Sequence, residues 1–296
     1  MAARDWFWVI LLGTIWGASF LFNAILIREL GPLWVSAGRV GIGALGSWVV
    51  LVATRKRLPR ELGVYGHMFL LGLLSYTVPF ALFPMSQAHL ASGVAAIVNA
   101  MTPITTVIVS QFWPGGERAT WMKSVGVVAG FVGAVILTLP AIEAGGATEV
   151  WAIGACLLAT VCYATGLNYA RKFAHMDPTV LATCALSGGG IAAVILAFGS
   201  EGMPAITHGE TWFALLGIAL LSTTFAFQVM YRLLPRIGAT NFSIVTFIAP
   251  LSAIVLGMTL LGETILPIHF VGMLGIFIGL LFIDGRIVRR LRRARA

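Results

Sequence analysis

Residues 91–113 read ASGVAAIVNAMTPITTVIVSQFW, and residues 114–140 continue PGGERATWMKSVGVVAGFVGAVILTLP. An apolar helix with a proline at its middle is followed by a short polar turn and a second apolar helix carrying glycines on one side. The plan returns from Gly238 as GATNFSIVTFIAPLSAIVLGMTLL, then GETILPIH, then FVGMLGIFIGLLFI. Ile97-Val98 falls on Ile244-Val245 and Pro103 on Pro250; one deletion later Glu117 falls on Glu263, Val125-Gly126 on Val271-Gly272, Phe131 on Phe277 and Gly133 on Gly279. Outside this stretch Pro32 matches Pro178, Pro59 matches Pro204, and Leu70-Leu71-Gly72 matches Leu215-Leu216-Gly217, at offsets of 145 to 147 residues throughout. The chain is written twice.

Composition says where both copies reside. Of 296 residues, 59% are hydrophobic and 10% charged, with a mean hydropathy of +0.95. A water-soluble domain carries about 25% charged residues, and about 20 apolar residues cross the hydrocarbon layer. Ten windows qualify: 6–27, 33–54, 64–88, 91–112, 121–142, 150–170, 179–200, 211–231, 237–262 and 264–283. The first is too long for a signal-peptide core and is followed by more spans, so it reads as a retained helix. The expected fold is an all-α integral membrane protein of ten transmembrane helices, in two five-helix repeats. Residues 1–142 and 150–284 form the repeats, 143–149 the external linker and 285–296 a basic tail.

Taking the loops alternately, one side collects 17 of the 19 lysines and arginines, from Arg4 through Arg55, Arg118, Arg171 and Arg232 to the tail. The opposite loops hold Glu29, Glu143, Glu149, Glu201, Glu210 and Glu263. The positive-inside rule puts both termini in the cytoplasm. Five is odd, so the second repeat enters the membrane inverted. Inverted repeats suit carriers, because exchanging the conformations of two related halves converts an outward-open cavity into an inward-open one. The net charge of +8 and the terminal RIVRRLRRARA belong to topology and anionic lipid, with no nucleic-acid partner expected. Cys156, Cys162 and Cys184 lie in helices without a CxxC pair, so neither metal nor disulfide is expected.

Ten helices in two repeats, the Trp16-Gly17 pair in the first helix, and a proline-centred helix followed by Gly-x-Glu or Gly-Glu resemble the drug/metabolite transporter superfamily, EamA type. The resemblance covers about residues 6–284. It extends to YddG-type amino acid exporters in its overall pattern and aromatic-lined helices. It implies a multi-pass inner-membrane exporter of amino acids, aromatic and large neutral ones, and related metabolites, working by alternating access without a cofactor, as monomer or homodimer. The resemblance leaves open a nucleotide-sugar or other metabolite or drug carrier. A nucleotide-sugar or sugar-phosphate carrier would want basic residues in the cavity, where only Arg39 is available. An integral membrane enzyme would need clustered His, Asp, Glu or Cys, and no HExxH, paired acids or Ser-His-Asp set is present.

The residues themselves give a candidate substrate site. Proline removes the partner of the carbonyl four residues earlier, so Pro103 frees that of Asn99 and Pro250 that of Thr246. Such acceptors are tolerated in hydrocarbon only against protein or a wet cavity. They line the site for a substrate amino group, or else Asn99 and Thr246 bond neighbouring helices. SYTVPFALFPMSQ breaks the third helix at Pro79 and Pro84, whereas its counterpart STTFAFQVMY has no proline. Tyr76, Gln228, Trp16 and Tyr163 offer flat surfaces and hydrogen bonds near midspan. Arg39, the one charge well inside a span, either snorkels or pairs with Glu29, or meets a substrate carboxylate. No acid lies inside a span, which predicts transport without strong proton coupling. The glycines of the fifth and tenth helices are packing, or a dimer face, and Gly188-Gly189-Gly190 a hinge or a close contact.

Overall fold

A computed structural model describes residues 2–143 and 145–284, so the basic tail lies outside the described residues. The described chain is helical, because a chain in hydrocarbon must satisfy its backbone groups within itself. Among the described residues, nine helices are long and apolar enough to cross a membrane. They are helices 1 to 8 (Ala3–Leu26, Pro32–Ala53, Leu62–Gln87, Ser92–Phe112, Trp121–Glu143, Ala147–Phe173, Pro178–Glu201, Gly209–Ile237) and helix 10 (Pro267–Asp284). Helix 9 is made of Ala239–Phe242 and Val245–Leu260. Pro32 and Pro178 open helices 2 and 7, where the missing N–H costs nothing.

The helices pack in pairs that respect the repeat. Helix 1 lies on helix 9 as helix 6 lies on helix 4, and helix 2 lies on helix 8 as helix 7 lies on helix 3. Helices 2 and 7, and helices 5 and 10, pair with their own counterparts. Exchanging each helix for its equivalent leaves this set unchanged. Large apolar residues such as Leu45, Val49, Val128, Val132, Ile191 and Ile195 remain exposed, as they must where the solvent is lipid.

The glycine seam is internal to the chain. A Cβ on Gly133 would lie 2.6 Å from the Gly272 carbonyl oxygen and 2.6 Å from the Ile276 nitrogen, so helices 5 and 10 meet backbone to backbone. These glycine faces are occupied within one chain and are not a dimer face. Gly188 and Gly189 likewise touch the backbone of Phe69 and Gly72, which gives the close contact and not a free hinge.

Four backbone irregularities follow the repeat. Helix 4 is interrupted between Asn99 and Thr102, as Pro103 predicts. Helix 9 continues across Pro250 and breaks instead at Ser243–Ile244, where the Thr246 hydroxyl donates to the Ser243 carbonyl at 2.6 Å. Helix 3 winds as a π-helix over Leu73–Thr77, and helix 8 does so over Gly217–Phe225 without any proline. The Thr223 hydroxyl donates to the carbonyl five residues back at 2.9 Å; those of Thr77 and Thr224 lie 3.5 and 3.3 Å from theirs and reach closer acceptors on neighbouring helices, Gly189 at 2.7 Å and Gly43 at 3.1 Å. The Thr223 bond supports the wider turn of helix 8, and the halves diverge less here than the proline pattern predicts. π-Turns are rare and gather at functional sites.

Candidate functional site

Where the π-stretches of helices 3 and 8 meet helices 1, 2 and 6, the aromatic side chains join into one array. Trp16 meets Phe227 edge-on at 6.3 Å and Phe242 at 6.2 Å. Phe227 meets Tyr76 at 5.7 Å, Tyr76 meets Phe80 at 5.9 Å, and Phe80 meets Tyr163 at 6.3 Å. Tyr163 then stacks on Phe83, which meets Phe20. The Trp16 indole N–H donates to the Ser222 carbonyl at 3.2 Å, tying helix 1 to the π-stretch of helix 8. Trp16, Tyr76 and Tyr163 therefore belong together, with Pro79 buried beside Phe80.

Arg39 reaches this array from helix 2. It is 7% exposed, with its guanidinium 3.6 Å from the centre of the Phe80 ring and its Nε donating to Thr223 Oγ1 at 3.1 Å. Thr223 spends its own proton on the Ile218 carbonyl, which leaves its oxygen free to accept. No carboxylate pairs with Arg39 among the described residues. The expected partner, Glu29, is engaged elsewhere: it accepts from the hydroxyls of Thr207 and Thr211 and contacts His208 Nδ1 at 2.5 Å. The threonine hydroxyls, and then His208, hold the Glu29 carboxyl well below the usual carboxylate range, while Glu29 pushes the His208 imidazole up. A cation buried without a counter-ion is costly unless something else meets it.

Other sequence candidates fall elsewhere. Asn99 is half-buried, and its carbonyl takes the Thr102 hydroxyl at 2.8 Å, so the acceptor freed by Pro103 is partly satisfied. Thr246 is half-buried at the break in helix 9, with Pro250 buried one turn on. Gln228 stands apart from the aromatic array: it lines a cavity of about 430 Å³ between helices 1, 2 and 8, with Arg4, Trp8, Val50, Thr224 and Arg232. Sequence reasoning missed Phe80, Phe83 and Phe227. Phe80, one helical turn after Tyr76, is the signal that could have found the first.

The two ends of the bundle differ. At the arginine-rich end, Lys56 pairs with Asp177 at 2.7 Å, Arg236 with Asp5, and Lys123 with Glu117 at 3.0 Å. At the other end, Glu201 accepts from the backbone of Leu33 and Trp34 at 3.0 and 3.1 Å, and Glu263 from the Ser92 N–H at 2.8 Å. Gln87 donates to the Phe20 carbonyl at 2.8 Å and to Ser92 Oγ at 3.0 Å, and accepts from Asn23 at 3.0 Å.

Comparison with known proteins agrees with this geometry. The EamA-like transporter family model matches residues 6–139 and again 150–284. An uncharacterized transporter of Archaeoglobus fulgidus is 23% identical over 88% of this chain and 91% of its own. A probable terminal-alkyne amino-acid exporter of Streptantibioticus cattleyicolor is 23% identical over 97% of this chain and 96% of its own. Protein PecM of Dickeya dadantii is 25% identical over 91% and 89%. A solved crystal structure superposes with a TM-score of 0.67 over 98% of this chain and 99% of that one, at 18% identity, which shows the shared fold. The chain belongs to the EamA-like transporter family and is a multi-pass membrane protein.

Proposed function

We propose that this transporter exports amino acids, aromatic and large neutral ones foremost, from the cytoplasm across the inner membrane. It works as two inverted repeats, residues 1–142 and 150–284, joined by an external linker at 143–149, with the arginine-rich end and both termini in the cytoplasm. The single observation that carries the substrate class is Arg39, a buried cation without a carboxylate among the described residues, lying over Phe80 inside an aromatic array. An amino acid supplies what is missing: its carboxylate for Arg39 and its side chain for the rings of Tyr76, Phe80, Tyr163 and Trp16. Its ammonium is left for carbonyl acceptors such as that of Asn99. The name of the Streptantibioticus relative, an amino-acid exporter, supports the class. Acids sit only near the ends of the described helices, so transport is facilitated and not driven through an intramembrane carboxylate.

The test is efflux from proteoliposomes loaded with mixed amino acids, with and without an imposed pH gradient. Saturable release of aromatic and large neutral amino acids, indifferent to the gradient, is expected. Release that tracks the gradient sinks the uncoupled mechanism, and absence of any amino acid release sinks the substrate class.

A further inference from the structure

We propose that Glu263 and Glu117, equivalent residues of the two repeats, are alternating latches, each closing one end of the carrier by capping a helix of the other half, and that His269 and Lys123 are the rests to which they withdraw. The proposal deepens the alternating-access reading above and rests on it. Glu263 Oε2 accepts from the N–H of Ser92, the first residue of helix 4, at 2.8 Å. A carboxylate there meets orphan amides and the positive end of the helix dipole. Gly257 makes room for it, since a Cβ at that position would come 2.3 Å from the same oxygen. Around this latch Asn23, Gln87 and Ser92 tie helices 1, 3 and 4 together, and the outer half of helix 4 packs on helix 9.

None of this is repeated at the arginine-rich end. Glu117 stands on Lys123 at 3.0 Å instead of reaching helix 9, and the Lys123 ammonium holds its carboxyl below the usual range. Asn168, equivalent to Asn23, accepts from Ser110 at 2.8 Å. The inner half of helix 4, Thr102–Phe112, does not pack on helix 9 as the outer half does, and the 430 Å³ cavity lies at this end. Lys123 has its own equivalent in His269, six residues after Glu263 as Lys123 is six after Glu117. The His269 Nδ1 is buried and has no hydrogen-bond partner. One carboxylate is latched with its rest empty, and the other is at rest, away from the helix it would cap. Exchanging the two conformations moves Glu263 to His269 and brings Glu117 to the start of helix 9 at Ala239, the equivalent of Ser92. That exchange opens the outer end and closes the inner one.

The test reads accessibility and needs no substrate. In a chain with Cys156, Cys162 and Cys184 replaced by alanine, Asn99→Cys is labelled by a membrane-impermeant thiol reagent in whole cells and, separately, in everted vesicles. Glu263→Ala is expected to raise labelling from the outside about tenfold or more, the effect of losing one charge-assisted hydrogen bond. Adding Glu117→Ala should bring it back toward the parent rate, because the opposite latch then no longer holds the outward-open state. Lys123→Ala, which frees Glu117 to latch, should raise outside labelling by itself. Unchanged labelling in Glu263→Ala, or a double variant labelled as fast as Glu263→Ala, overturns the latch pair. Failure of amino acid efflux leaves this readout intact, so the two readings fail separately.

Discussion

Replacing Arg39 by methionine separates an anchor for substrate from a structural cation. In the empty protein Arg39 gains one hydrogen bond to Thr223 and the face of Phe80 at 3.6 Å. A hydrogen bond to a charged group contributes about 1.5–3 kcal/mol, and a desolvated cation–π contact about 2 kcal/mol. Against them stands the effective cost of burying an ion, several kcal/mol. The terms nearly cancel, and Thr223 keeps its bond to Ile218, so Arg39→Met should leave the empty protein within about 1 kcal/mol of the parent. With substrate the balance changes, because truncating one partner of a buried hydrogen-bonded charge pair costs about 2–5 kcal/mol. Affinity for phenylalanine should therefore fall about 30-fold or more. The assay is thermal unfolding in detergent with and without phenylalanine, where a ligand at 100 times its Kd adds about 2.7 kcal/mol. The methyl ester, which lacks the carboxylate, should bind parent and variant alike. A variant that loses several kcal/mol when empty and keeps its full phenylalanine shift refutes the anchor.

Three further outcomes follow from the same geometry. Gly133→Ala must part helices 5 and 10 by about 0.8 Å to bring its 2.6 Å backbone contacts to the 3.4 Å of ordinary packing. The expected loss is about 1–3 kcal/mol in thermal unfolding, and unchanged or raised stability refutes the seam. The raised pKa of His208 means that its contact with Glu29 stabilises the loops at the arginine-poor end fully below the ordinary histidine range and fades as pH rises through the folded value. The stability gap between parent and His208→Ala should therefore be widest at mildly acidic pH and narrow on going alkaline, and a gap that widens with pH contradicts the assignment. Because Arg39 has no carboxylate partner among the described residues until substrate supplies one, counterflow against internal phenylalanine should outpace net efflux into amino-acid-free buffer, and equal rates argue against Arg39 as the carboxylate's partner.

Much of the fold was legible because the membrane simplifies the code. Window length and loop arginines determine the spans, and Pro103 located the break in helix 4. Pro250 misled, because at the tight turn after Phe242 the Asn241 amide donates to the Ile237 carbonyl and the Thr246 hydroxyl to the Ser243 carbonyl, while the helix runs on across the proline. The π-stretch of helix 8 was hidden for a related reason. A threonine whose hydroxyl reaches five residues back looks, in sequence, like an ordinary polar residue in a helix. At the site, Trp16, Tyr76 and Tyr163 could be found from midspan position alone. Whether Gln228 joined them depended on rotation about helix 8, which an apolar helix in lipid does not reveal by its pattern.

Under the function proposed above, a symmetric frame holding an asymmetric site lets the carrier recognise one kind of molecule. Each half supplies a π-stretch at an equivalent place and a broken helix, the break in helix 9 lying about one turn earlier than that in helix 4, so the backbone is close to twofold. The side chains are not. Arg39 has Ala185 as its equivalent at an offset of 146, and at 145 Tyr76 has Leu221, Phe83 has Gln228, Trp16 has Val161 and Tyr163 has Ala18. A pair of arginines related by the axis would invite two anionic groups, or one group bound ambiguously in two orientations. A single arginine with the rings gathered on its side allows one carboxylate, in one orientation, with the apolar part of the substrate directed along the rings. The frame can thus exchange its two conformations while the site keeps its polarity. For this reason the buried cation, and not the fold, carries the substrate assignment.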